Sequence, residues 1–164
     1  MAGFKNKLRA RTCKAHVLGP VDAAGASAWY DFVGFIVIAE ETAGGVVGLD
    51  NDTKTFHIYQ TGYYKFGGCV HIKDNGGGGF NNLTVLMRVM KNGTTEARCS
   101  QRGFNRDIKG SGEDILSYNG TDHYNVGDTV TLQYYVSNAD VDFDSNDTFS
   151  EQVACTIWFN YLGA

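Results

Sequence analysis

The sequence predicts an all-β fold, a two-sheet jelly-roll sandwich of about eight strands, and three observations carry that prediction. Composition comes first: 21 glycines, a single proline and 13% aromatic residues within 43% hydrophobic content describe a loop-rich globular chain. Periodicity comes second, because no stretch carries the 3.6-residue pattern of an amphipathic helix while several alternate with period two. Punctuation comes third, since short Gly, Asn and Asp clusters separate the alternating runs. With 164 residues, one hydrophobic core is expected.

In chain order, residues 1–28 read as an N-terminal basic arm and linker, and residues 29–164 as the jelly-roll domain. Lys5, Lys7, Arg9, Arg11 and Lys14 crowd the start of the chain, with no carboxylate among the first fourteen residues. Such a segment is either a solvated tail or an arm that docks on an acidic partner surface. Residues 16–28 are small and contain the only proline, Pro20. Residues 29–39 form the first predicted strand, its apolar run too short to cross a bilayer as a helix.

Residues 55–72 predict two strands joined by a tight turn at Gln60-Thr61-Gly62, with Phe56, Ile58, Tyr64 and Phe66 facing the core. Gly67 and Gly68 mark a bulge, a bend or a close backbone approach. Residues 74–82 are a glycine-rich loop that lacks the Lys-Ser/Thr of a phosphate cradle. Residues 83–90 form a strand, Asn92-Gly93 predicts a hairpin turn with positive φ at both positions, and residues 95–99 return. A polar stretch, 100–112, precedes strands at 114–118 and 129–136. Residues 139–150 are an acidic loop, and 153–162 is the closing strand.

Three of these strands are apolar on both faces, which one sandwich does not explain. Leu86, Met90, Tyr135, Trp158 and Leu162 occupy the second face, and they predict a homo-oligomer with those residues at its interface.

Sites of chemistry are sparse. Asp140, Asp142, Asp144, Asn146 and Glu151 fall on the spacing of a calcium loop, but Ser145 stands where a glycine is required, so they are only a weak candidate cation loop. His16, His57, His71 and His123 make no metal-ligating pair, and Cys13, Cys69, Cys99 and Cys155 are spaced as reduced, packed thiols. The five Asn-x-Ser/Thr sequons are read as turn chemistry. No nucleophile motif or carboxylate pair stands out, so neither an enzyme nor a cofactor is expected. The net charge of -4 gives no attraction to nucleic acid or to an anionic membrane. No export signal is recognised in the opening residues.

The chain resembles the jelly rolls of the tumour necrosis factor and complement globular-head superfamily over roughly residues 30–164. The resemblance lies in Phe56 followed by Gly62-Tyr63-Tyr64-Lys65-Phe66, in Leu83-Thr84-Val85-Leu86 leading to Asn92-Gly93, and in Val126-Gly127-Asp128-Thr129-Val130-Thr131-Leu132. The aromatic closing strand, 156–162, adds to it. It implies a compact homotrimer centred on that last strand. Without a collagen-like stalk, it points to a virion setting: a capsid decoration or cement protein on a phage head, made in the host cytoplasm. Its partners would be the major capsid protein and neighbouring decoration subunits, with the basic arm docking on the capsid. The alternative is a receptor-binding knob of a phage fibre, recognising host glycan through residues 118–124.

Overall fold

The computed structural model describes residues 11–41, 45–50, 52, 54–74, 80–97, 102–108, 113–144 and 153–164. Among them every regular element is a strand, and the strands build two antiparallel sheets packed face to face. The first sheet contains β1 (Arg11–Leu18), β2 (Val21–Asp22), β4 (Phe35–Glu41), β7 (Gly62–Asp74), β11 (Glu113–Tyr124), β13 (Val141–Phe143) and β14 (Val153–Gly163). Its main body runs in the order β11-β7-β14-β1-β4, with β13 and β2 beyond the far end of β7. The second sheet contains β3 (Trp29–Asp31), β5 (Val47–Leu49), β6 (Phe56–Ile58), β8 (Phe80–Lys91), β9 (Thr95–Glu96), β10 (Arg102–Ile108) and β12 (Thr129–Val136). Its order is β10-β8-β12-β6-β5, with β3 also on β12 and β9 on β8.

The predicted alternation fills the space between the sheets. Tyr64, Phe66, Val70 and Ile72 of β7, Cys155, Ile157 and Phe159 of β14, and Cys13, Ala15 and Val17 of β1 are buried on one side. Leu83, Val85, Met87 and Val89 of β8 meet them with Val130, Leu132, Tyr134 and Val136 of β12. Phe56 sits in a chain of edge-on rings, 5.3 Å from both Phe35 and Phe159 between centroids. Ring pairs at that spacing add to burial because the positive edge of one meets the negative face of the next.

Several expected boundaries move. The division at residue 28 does not survive, because Arg11–Leu18 is a strand hydrogen-bonded to β14 on one side and β4 on the other. The expected linker is also fixed: the amides of Ala23 and Ser27 donate to the carbonyls of Val141 and Val136, and that of Ala24 to the Tyr134 hydroxyl. Of the arm residues, Lys14 is an exposed strand residue and Arg11 opens β1, while Lys5, Lys7 and Arg9 lie outside the described residues.

Residues 29–39 are not one strand. They divide into β3 in the second sheet and β4 in the first, and the chain changes sheet at Gly34, whose φ of 83° suits glycine. Residues 55–72 likewise do not pair as a hairpin, since β6 and β7 belong to opposite sheets. The Asn92-Gly93 turn is as expected, with φ of 53° and 67°.

Candidate interaction faces

Each sheet has one face on the core and one face outward, so the outward residues of the long strands define two candidate surfaces. On the first sheet, strand register sets them in rows. Ser117, Cys69, Thr156, His16 and Ile36 form one row across β11, β7, β14, β1 and β4. Asn119, Gly67, Trp158 and Lys14 form the next. The indole of Trp158 packs against Gly67, where any Cβ would fall 2.6 Å from the ring. Elsewhere on this face Ile36, Tyr63, Ile115 and Leu162 are each at least half exposed. Isolated exposed apolar residues are ordinary, but four on one sheet face that also carries a half-buried tryptophan are what an interface uses.

The outward face of the second sheet carries a different set. Trp29, Tyr135, Leu86 and Gly103 are register partners across β3, β12, β8 and β10. Asp31, Gln133 and Arg88 form the adjacent polar row. Those three are linked: Arg88 Nε donates to Gln133 Oε1 at 2.8 Å, and Gln133 Nε2 donates to Asp31 Oδ1 at 2.8 Å. Lys54 completes the chain on Asp31 Oδ2 at 3.3 Å.

The five residues expected at one interface therefore do not share a face. Trp158 and Leu162 belong to the first sheet, and Leu86, Met90 and Tyr135 to the second. Met90 is moreover only 5% exposed, opposite Glu96 of β9, and so has little surface to offer. Period-two reading marks which residues face away from the core, but two sheets have two such faces.

The tyrosines that suggested glycan recognition are not presented to a ligand. Tyr118 is buried and its hydroxyl donates to the Thr156 carbonyl at 2.8 Å; burial pushes its phenol well above the usual range. Tyr124 is buried against Tyr64, and burial raises its phenol too, helped by the nearby carboxylates of Asp122 and Asp128. The candidate cation loop disperses as well. Asp140 is exposed, with its amide bonded to Asn138 Oδ1. Asp142 lies on β13 opposite Asp22, and Asp144 is buried with Oδ2 3.7 Å from Lys73 Nζ. Among the described residues no group of three or more His, Cys, Asp or Glu side chains gathers as a metal site. Asn146 and Glu151 lie outside the described residues.

No disulfide is found among the described residues, which include Cys13, Cys69 and Cys155. Cys69 lies outward, with Sγ 3.4 Å from Thr156 Oγ1 and 3.9 Å from His71 Nε2. Cys99 is outside the described residues.

No protein-family model matches the sequence, and no curated protein matches it either. Solved structures do match in fold. Murine APRIL aligns over 94% of this chain and 100% of its own, with a TM-score of 0.55 and 13% identity. The Eiger TNF of S. frugiperda aligns over 94% of this chain and 93% of its own, with a TM-score of 0.59 and 9% identity. The fold is thus a tumour-necrosis-factor-like jelly roll, reached through a sequence that shares little with those proteins.

Proposed function

We propose that the chain is a non-enzymatic binding protein that assembles as a homotrimer through the outward face of its first sheet. The observation that carries this is that Ile36, Tyr63, Ile115 and Leu162, spread across that one outward face with the half-buried Trp158, put large apolar side chains at exposed positions. Fully burying an aliphatic side chain of this size from full exposure contributes about 1.5–3 kcal/mol, and a single chain, in which each is roughly half covered, forgoes about half of that. Sedimentation at micromolar concentration is expected to give the mass of three chains, and a monodisperse single-chain species overturns the reading.

Within that assembly, the reading we favour is a decoration protein on a virus capsid surface, with neighbouring subunits and the capsid protein as partners. Its support is electrostatic. The basic residues Lys5, Lys7 and Arg9 precede β1 in a chain of net charge -4, so one end carries charge opposite to the rest. Each bound trimer would tie several capsid subunits together and add its binding free energy to the shell. Deleting residues 1–10 is then expected to lower occupancy on particles, most at low salt where the arm's charges are least screened, with the gap to the parent narrowing as salt rises. Unchanged occupancy refutes the docking role. A fibre knob that recognises host glycan loses its specific support, since Tyr118 and Tyr124 belong to the core.

A further inference from the structure

A trimer closed by the first sheet leaves the outward face of the second sheet unaccounted for. That face holds Trp29, Tyr135 and Leu86 side by side, all half-buried. At about 4.8 Å between strands, a row running across β3, β12 and β8 and on to β10 spans about 15 Å. The two rings are 5.9 Å apart, and the Arg88 guanidinium lies 4.0 Å from the centre of the Trp29 ring.

The charge of Arg88 is the informative part. In the polar row, both Asp31 oxygens are already engaged, one by Gln133 and one by Lys54. Asp31 and Lys54 offset each other, and among the described residues Arg88 hydrogen-bonds to a neutral amide, through Nε. Its two terminal nitrogens have no hydrogen-bond partner among the described residues. A guanidinium fixed by stacking on one side and an Nε hydrogen bond on the other has given up most of its rotamer freedom, and its outer edge is a rigid two-pronged donor. The group that matches this edge is a carboxylate, taken with two parallel N–H···O bonds.

We propose that this face is a docking surface for a partner protein that presents an Asp or Glu side chain beside a bulky apolar one. The carboxylate sits on the Arg88 fork and the apolar side chain rests on Tyr135 and Leu86. Trp, Tyr and Arg together are the composition in which interface binding energy concentrates. Two features disfavour a sugar: the surface is a sheet face lined by an aliphatic side chain, and the tryptophan ring that would stack on a pyranose is covered by Arg88. The inference holds whether or not the first sheet forms a trimer.

Panning a displayed random-peptide library against the full chain tests it. Enriched peptides are expected to carry Asp or Glu next to Leu, Ile or an aromatic residue. By fluorescence anisotropy, a labelled synthetic copy is expected to bind about 30-fold or more weakly to Arg88→Gln, the scale for removing one partner of a desolvated charge pair. Arg88→Lys should keep the charge and still lose most of the affinity, because it loses the fork. If Arg88→Gln melts abnormally, Leu86→Glu is the second variant: its carboxylate occupies the fork and repels the ligand's. Val126→Ser, at an exposed position in the turn between β11 and β12, should bind as the parent does.

Enrichment without a carboxylate, or equal binding by Arg88→Gln and Leu86→Glu, overturns the proposal. So does self-association of the parent chain that Arg88→Gln abolishes, which assigns the face to a second copy.

Discussion

Two residues show how closely side-chain identity is bound to the strands around it. A Cβ on Gly68 would fall 1.9 Å from the Thr156 carbonyl oxygen and 2.6 Å from the Tyr118 hydroxyl. Both neighbours are fixed, one as backbone of β14 and the other by its hydrogen bond to that same carbonyl. Gly68→Ala is therefore expected to cost about 3 kcal/mol or more, at or above the usual range for overpacking, and urea melts measure it. Asp128 is the second case. Its Oδ1 accepts from Asn92 Nδ2 at 2.8 Å, while Oδ2 accepts from the Asn125 amide at 2.8 Å and lies 2.9 Å from Lys91 Nζ. Burial acts to raise this carboxyl's pKa, but the hydrogen bonds from Asn92, Asn125 and Lys91 outweigh it and hold it below the usual range. A depressed carboxyl contributes stability that is present above its unfolded-state pKa, near 3.9, and disappears as pH falls through the lower folded-state value. Asp128→Asn should thus be less stable than the parent by about 1–2 kcal/mol at pH 7, with the gap closing below about pH 4. A gap that stays constant down to pH 2 contradicts this account.

At the scale of the element, alternation was legible and sheet membership was not. Phe56, Ile58, Tyr64 and Phe66 face the core as their spacing says, yet β6 and β7 lie in opposite sheets. The reason is that both sheets bury their inward faces in the same core, so period two fixes a side and leaves the neighbouring strand open. The sheet changes are made by short connections, at residues 59–61 and at Gly34, that resemble hairpin turns in composition. β1 was missed for a different reason. Its inward residues, Cys13, Ala15 and Val17, are small, and Lys14 and His16 alternate with them, so a central strand has the look of a polar arm. The period-two run of those three residues was the available signal. β10 offered less, with Phe104 and Ile108 the only large apolar residues in Arg102–Ile108. The position of β1 makes a truncation series diagnostic. Removing residues 1–10 leaves every described pairing of β1 in place, whereas removing 1–18 strips β14 and β4 of a shared neighbour. The shorter deletion is expected to melt within a few degrees of the parent by circular dichroism. The longer one should not fold, because buried strand edges left without partners carry unsatisfied amides and carbonyls.

For the whole molecule, the two-faced strands were read as a sign of further contacts, and the structure places the residues that would make them on opposite sides. The first-sheet side carries Trp158, Leu162, Ile115, Ile36 and Tyr63; the second carries Trp29, Tyr135, Leu86 and the Arg88 fork. Homo-oligomer interfaces are more apolar than the rest of a protein's surface, so the more apolar side is the better candidate for self-association. The assignment can be read from stability alone. If folding is linked to assembly, the melting temperature of the parent chain rises with protein concentration, since association stabilises the folded state by mass action. Replacing Leu162 and Ile115 with arginine sets two charges on the face at positions that are exposed in the single chain, so the fold itself should tolerate them. The double variant is expected to sediment as one chain and to melt at a temperature that no longer depends on concentration. Arg88→Gln, on the opposite sheet, should keep both the assembled mass and the concentration dependence. Loss of assembly in Arg88→Gln together with its retention in the double arginine variant would place the subunit contact on the second sheet and reverse the roles assigned to the two faces.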